Sequence, residues 1–99
     1  MRIVEMNPRD NCTVTALEND VQSYFHDEVR RLSYSLAGRN YGFVCYEKGI
    51  QIKNNEVKAL YGPAIICDEQ FEGLSESEAK LIQRYVNDYQ FDLNNLKIH

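Results

Sequence analysis

The feature that most constrains this fold is an alternation of polar and apolar residues. A turn and a second strand-like segment follow it. Residues 30–36 alternate with a period of two, which is typical of a strand with one buried face. Residues 37–40 have turn composition, and the β-favouring run Tyr41–Glu47 follows directly. The pattern predicts a β-hairpin. The apolar residues that we expect on one face of its first strand are Leu32, Tyr34 and Leu36.

The segment before the hairpin carries a helical pattern whose end can be placed in two ways. Thr15 and Glu18 have the spacing of a capping box, in which a hydroxyl and a carboxylate cap the first turn of a helix. If the helix continued to Leu32, the Glu28 carboxylate would enter its apolar stripe, where an unpaired charge is costly. We therefore expect the helix to end near His26. The stripe consists of Leu17, Val21, Tyr24 and Phe25.

Further strands and a second helix complete the expected fold. The remaining segments are strand-like runs at Arg2–Met6, Cys12–Thr15, Ile50–Lys53 and Ala59–Cys67, a turn over Asn7–Asn11 and a polar loop over Asn54–Glu56. Ser75 and Glu78 form a second capping box, and residues 95–99 are expected to be a loose tail. The apolar residues of this second helix are Ala79, Ile82, Tyr85, Val86 and Tyr89. The sequence predicts one α+β domain over residues 1–99, with a mainly antiparallel sheet of four to five strands and two helices on one face.

The charge of the chain excludes several functions. Fifteen acidic and eleven basic residues leave a formal net charge of −4, and no Lys or Arg lies between Asp68 and Glu78. Such a surface repels a phosphate backbone, which basic side chains must neutralise, so we expect no direct nucleic-acid binding. No apolar run approaches the roughly 20 residues that span a bilayer, so we expect no membrane insertion.

Three cysteines and two histidines give little support for catalysis. Cys12, Cys45 and Cys67 are widely spaced and contain no C-x-x-C pair, which predicts neither a disulfide framework nor a zinc site. A reducing cytoplasm is the simplest compartment for such a chain. The alternative to a non-enzymatic protein is a small thiol-dependent enzyme or ligand-binding domain that uses Cys45 or Cys67 with His26. No cofactor or metal is expected.

Acidic and tyrosine side chains are the candidate partner-binding residues. Five acids lie between Asp68 and Glu78, where helix capping and solubility are the simpler explanation and a basic partner surface is the functional one. Several tyrosines near strand ends could likewise pack in the core or form an interface. The candidate partner-binding residues are Asp68, Glu69, Glu72, Glu76, Tyr41, Tyr46 and Tyr61.

Several short motifs follow one another along the chain: Val21-Gln22, Cys45-Tyr46-Glu47-Lys48-Gly49, Asn54-Asn55, Tyr61-Gly62-Pro63-Ala64-Ile65-Ile66 and Leu74-Ser75-Glu76-Ser77-Glu78. Their order resembles a family of uncharacterised small domains carried by bacteriophages and mobile elements of Gram-positive bacteria. The resemblance spans about residues 2–82, with His26-Asp27 where the family usually has Gly-Gly. It implies a mobile-element context in which small acidic proteins act on host machinery, and it implies no catalytic residue.

These observations lead to a functional expectation. We expect a non-enzymatic, phage-encoded interaction protein in the cytoplasm of a host bacterium, which inhibits a defence or nucleic-acid-binding protein as anti-CRISPR proteins do. Its partner would be a host protein with a basic surface. Homodimerisation is a further expectation, because the strand Tyr41–Glu47 carries few charges that would block pairing at a sheet edge.

Overall fold

The computed structural model describes residues 1–7, 11–18, 20–89 and 91–98. The expected turn over Asn7–Asn11 therefore lies partly outside the described residues, as do the side chain of Tyr89 and residue His99. The strands are β1 (Arg2–Met6), β2 (Thr13–Ala16), β3 (Val29–Leu36), β4 (Arg39–Tyr46), β5 (Ile50–Lys53), β6 (Glu56–Leu60), β7 (Ala64–Cys67) and β8 (Leu96–Ile98). The α-helices are α1 (Val21–Tyr24) and α2 (Glu76–Tyr89), with short 3-10 helices at Glu47–Gly49 and Leu93–Asn95.

An antiparallel sheet forms the centre of the molecule, which confirms the α+β class. Its six strands lie in the order β2-β1-β7-β4-β3-β8, and β5 and β6 form a separate two-stranded sheet. The sheet is thus larger than the expected four to five strands. Strand β4 lies between β3 and β7, so the expected pairing of two copies through the Tyr41–Glu47 edge is wrong.

The predicted hairpin is confirmed as β3 and β4, but its turn has two residues rather than the predicted four, because Arg39 and Asn40 belong to β4. Leu36 pairs with Arg39, and the two turn residues, Ala37 and Gly38, have positive φ angles of 51° and 78°. Two-residue turns of this handedness match the right-handed twist of the strands that they join. The three alternating apolar residues of β3 are buried, as expected: Leu32, Tyr34 and Leu36.

The two helices cover opposite faces of the sheet, so the expectation of two helices on one face is wrong. The Glu5 side chain on β1 accepts a hydrogen bond from the Tyr24 hydroxyl at the end of α1. Helix α2 meets the other face, where its Glu78 forms an ion pair with Arg39 of β4. Because both faces are covered, β7 is buried along its whole length, which explains its continuous apolar run.

The first helix is shorter than predicted. Thr15 lies in β2 opposite Ile3, so its β-branched side chain serves a strand and the predicted Thr15–Glu18 capping box does not form. The helix is a single turn, Val21–Tyr24, whose N-cap is Asp20: its Oδ1 accepts a hydrogen bond from the Ser23 amide at 3.1 Å. The expected end before the hairpin is confirmed, since the turn ends ahead of His26.

The predicted long strand over residues 59–67 is two strands. Strand β6 begins at Glu56 and pairs with β5 across Asn54 and Asn55, whose φ angles are 55° and 62°. Gly62, with a φ of 80°, and Pro63 then separate β6 from β7. The expected polar loop is thus a tight hairpin turn, for which asparagine is well suited.

The expected loose tail is also wrong for the residues that the structure describes. Leu96–Ile98 form strand β8, which pairs with β3 at the edge of the main sheet. Leu96 is only 5% exposed and belongs to the hydrophobic core. Burial of this side chain and the strand pairing fix the end of the described chain.

Candidate partner-binding surface

The residues after β7 form a loop with its own internal hydrogen bonds, which we call the acidic loop (residues 68–73). The Asp68 Oδ1 atom accepts hydrogen bonds from the backbone amides of Glu72 and Gly73, at 2.9 and 2.6 Å. The Asp68 carbonyl oxygen accepts a third, from the Phe71 amide, at 3.1 Å. Asp68, a predicted partner-binding residue, therefore has a carboxylate that organises the loop itself.

Phe71 fixes the acidic loop to the sheet. Its ring packs over Gly42 of β4 so closely that a Cβ atom at Gly42 would lie 2.7 Å from Cε1 of the ring. On β3, the guanidinium carbon of Arg31 lies 4.7 Å from the centroid of the Phe71 ring, which is a cation–π contact. Phe71 has a φ of 57°, an unfavourable conformation for a residue with a Cβ, so tertiary contacts hold the loop in place.

The acidic side chains of the stretch fall into two groups. Glu69 and Glu72 project from the acidic loop into solvent, and among the described residues neither forms an ion pair. Glu76 lies in the first turn of α2, where the ammonium of Lys80 at 3.0 Å lowers the pKa of the Glu76 carboxyl. The carboxylates of Glu69 and Glu72 are thus available to a partner, whereas the Glu76 carboxylate already interacts with Lys80.

The start of α2 confirms the second predicted capping box in part. Ser75 Oγ accepts a hydrogen bond from the Glu78 amide at 3.1 Å, as an N-cap residue does. The Glu78 carboxylate accepts a bond from the Ser75 hydroxyl at 3.1 Å and lies 3.4 Å from Arg39. The Glu78 side chain therefore stabilises the junction between the acidic loop and α2.

A shallow groove of about 510 Å³ adjoins the acidic loop. Its lining includes Asp68, Glu69 and Glu78 together with Tyr41, so the structure brings four residues of the sequence analysis together. Tyr41 itself is only 3% exposed, because it faces the core beside Tyr34 on β3. This burial leaves Tyr41 little surface for a partner, which argues against the prediction that Tyr41 contacts one.

The other two predicted tyrosines line a second groove, of about 530 Å³, which we call the tyrosine groove. Tyr61 is 60% exposed, whereas Tyr46 is half-buried and packs edge-on against Phe25. The His26 amide donates a hydrogen bond to the Tyr46 hydroxyl at 3.3 Å. The groove is lined by His26, Asp27, Glu28, Tyr46, Glu47, Lys48, Gly49, Tyr61 and Gly62.

The cysteines are placed as core residues. Burial raises the pKa of Cys45 to about 11 and that of Cys67 to about 12, and both side chains are fully buried. A thiol nucleophile needs the opposite, a lowered pKa with access to substrate. His26 is exposed, so the geometry does not favour the alternative of a thiol-dependent site. The single S–H of Cys12 has two acceptors within reach on α2, the Gln83 carbonyl oxygen at 3.4 Å and Asn87 Oδ1 at 3.3 Å, which links the residue before β2 to α2.

The residues that the structure describes contain neither a metal-binding cluster nor a membrane-spanning helix. Across residues 1–7, 11–18, 20–89 and 91–98, no group of three or more His, Cys, Asp or Glu side chains is arranged to hold a metal ion. No helix in the same residues has the length and apolar character needed to cross a bilayer.

Sequence reasoning missed the residues that shape the acidic loop. Phe71 is an aromatic side chain within an otherwise acidic stretch, a signal of a local anchor that could have been recognised. Its contacts with Gly42 and Arg31 join distant parts of the chain, and no sequence pattern announces them.

The class that this architecture defines is an antiparallel α+β domain with a hydrogen-bonded acidic loop at one side. Comparison of the chain with protein-family models, with curated proteins and with solved structures gives no match.

Proposed function

We propose that this protein is a non-enzymatic interaction protein whose acidic loop binds a basic surface of a partner protein. One observation carries the proposal: the Asp68 carboxylate and the Phe71 ring hold the loop in shape, while Glu69 and Glu72 are exposed. A loop whose backbone is already ordered loses little conformational freedom on binding, and exposed carboxylates attract a cationic partner over a distance.

The partner that we propose is a host protein with a Lys- or Arg-rich surface, in the cytoplasm of a bacterium. A surface that normally holds nucleic acid is the favoured candidate, because carboxylates can occupy positions that phosphates otherwise take. The resemblance of the sequence to small domains of bacteriophages and mobile elements implies a mobile-element context, in which the partner would be a host defence or nucleic-acid-binding protein. The protein would then inhibit that partner by covering its basic surface, as anti-CRISPR proteins do.

Capture with two matched baits tests this proposal. Wild-type protein and the variant Glu69→Lys/Glu72→Lys are immobilised in equal amounts, and bound proteins from a lysate of the native cell are identified by mass spectrometry. A basic protein retained by the wild type and lost from the variant supports the proposal. A partner set that is the same on both baits would contradict it.

A further inference from the structure

The tyrosine groove is built from three chain segments that hydrogen bonds tie together. The Glu47 amide donates to the Glu28 carbonyl oxygen at 3.0 Å, which joins the segment before β3 to the segment after β4. The Tyr61 amide donates to the Gly49 carbonyl oxygen at 2.6 Å, which adds the segment after β6. The walls are thus set before any ligand arrives, which lowers the entropic cost of binding.

An exposed aromatic residue lies at one side of this groove. Tyr61 exposes 60% of its surface, the largest exposed fraction among the large hydrophobic residues that the structure describes. Its backbone is held against Gly49, where a Cβ atom would collide with the Tyr61 carbonyl oxygen. The glycine therefore permits a close approach that positions the backbone of Tyr61.

Acidic residues outnumber basic ones in the lining of this groove. Asp27, Glu28 and Glu47 line the groove together with a single cation, Lys48. Lys48 is 87% exposed and lies 3.7 Å from Asp27, so this ion pair is weak. Glu47 is paired with Arg30 at 3.2 Å, whereas Glu28 forms no ion pair in the part of the chain that the structure describes.

We propose that the tyrosine groove binds an arginine side chain of a protein partner. A guanidinium is planar and weakly hydrated, so it stacks on a tyrosine ring while it donates two hydrogen bonds to a carboxylate. Tyr61 supplies the ring and Glu28 the carboxylate. The inference rests on the proposed function, because it names the side chain by which a basic partner is recognised, but it uses different residues from the acidic loop.

Peptide titrations followed by NMR test the inference. The probe is acetyl-Gly-Arg-Gly-amide, and its controls replace arginine with citrulline, which is neutral and nearly isosteric, or with lysine. We expect saturable shifts of the Glu28, Gly49 and Gly62 amides with the arginine peptide, in the millimolar range expected of about 3–4 kcal/mol of binding. Lysine should bind more weakly, and citrulline should give no saturable shifts.

Variants assign the binding to named side chains. Tyr61→Ala should weaken binding of the arginine peptide about threefold to fivefold, Tyr61→Phe should leave it within about twofold, and Glu28→Gln should weaken it about threefold. Glu18→Gln removes an exposed carboxylate outside the groove and should have no effect. Equal binding of the citrulline or lysine peptide, or no saturation below about 50 mM, would overturn the inference.

The two proposals fail separately. If the arginine peptide does not bind the groove but Glu69→Lys/Glu72→Lys loses a captured basic partner, only the arginine site is wrong. If the peptide binds as expected but that partner set is unchanged, the acidic loop is not the docking surface, and the arginine site stands without it.

Discussion

The guanidinium carbon of Arg31 lies 4.7 Å from the centroid of the Phe71 ring. The same ring packs against Gly42, so the acidic loop contacts both β3 and β4. The loop is therefore part of the folded domain, and its shape should respond to substitutions far from its carboxylates.

Substitutions of Phe71 test its backbone conformation, because we expect the glycine variant to be more stable than the alanine variant. Both Phe71→Ala and Phe71→Gly lose the ring, which should cost about 1–2 kcal/mol of unfolding free energy for a half-buried side chain. Because the φ angle is 57°, the glycine variant should be more stable than the alanine variant, by about 0.5–1 kcal/mol. Urea unfolding measures both. An alanine variant more stable than the glycine variant would show that residue 71 does not hold this backbone conformation.

Gly42→Ala tests the close approach of the loop to β4. The added Cβ would lie 2.5 Å from the Asp68 carbonyl oxygen and 2.7 Å from the Phe71 ring. Overpacking of this kind usually costs about 1–3 kcal/mol, and we expect a similar loss of unfolding free energy here. Thr13→Ala, an exposed change in another strand, serves as the control and should cost less than about 1 kcal/mol. Equal stability of the two variants would argue against the packing.

Asp68 should matter to stability more than the glutamate beside it. Asp68→Ala leaves the amides of Glu72 and Gly73 without their acceptor and should cost about 1–2 kcal/mol. Asp68→Asn keeps an oxygen at that position and should cost less. Glu69→Ala, on the exposed side of the loop, should change the unfolding free energy by no more than about 0.5 kcal/mol. Thermal unfolding that ranks Glu69→Ala below Asp68→Ala in stability would contradict these roles.

The buried thiols predict a loss of stability in alkaline solution. The pKa of Cys45 is about 11 in the folded protein, whereas an unfolded thiol ionises near pH 8.5. From about pH 8.5 upward the unfolded state has released its thiol proton and the folded state has not, so the free energy of unfolding falls as the pH rises. Below about pH 8.5 this contribution is fully present.

Urea unfolding at pH 8, 9 and 10 measures the effect, and Cys45→Ala should give a shallower decline between about pH 9 and pH 10 than wild type. Cys67, with a pKa of about 12, should contribute in the same direction. An identical slope in wild type and Cys45→Ala would show that the Cys45 thiol ionises equally in the folded and unfolded states.

Short sequence patterns correctly predicted elements whose hydrogen bonds join residues close in sequence, such as the β3–β4 hairpin. The alternation of Leu32, Tyr34 and Leu36 specified β3 because one strand face must be buried, and the Ala37-Gly38 turn specified its return. The Thr15 capping box failed because threonine suits a strand as well as a cap, and pairing with β1 decided between them. Pairing with β3 also explains why Leu96–Ile98 form a strand. Three residues are too few to show a strand-like alternation in the sequence.

The charge pattern of the sequence predicted part of the candidate site, and packing in the folded structure decided which of its residues are exposed. Glu69 and Glu72 were expected at a surface, and the structure exposes them. Tyr41 was expected there as well, but the central position of β4 buries it, and strand order depends on contacts between segments distant in sequence. The same reason hides the contacts of Phe71 with Gly42 and Arg31 from sequence reasoning, since they exist only once the loop folds onto the sheet.

The association rate with a captured basic partner tests the central claim most directly. It is measured for wild type, for Glu69→Lys/Glu72→Lys and for Glu18→Lys/Glu56→Lys, which changes the net charge equally at exposed sites outside the loop. At about 50 mM salt, reversal in the loop should slow association about tenfold and the control about twofold or less, because steering depends on charges near the contact. At about 500 mM salt the three rates should converge. A loop variant that associates as fast as the control at low salt would contradict the proposal that Glu69 and Glu72 meet the partner.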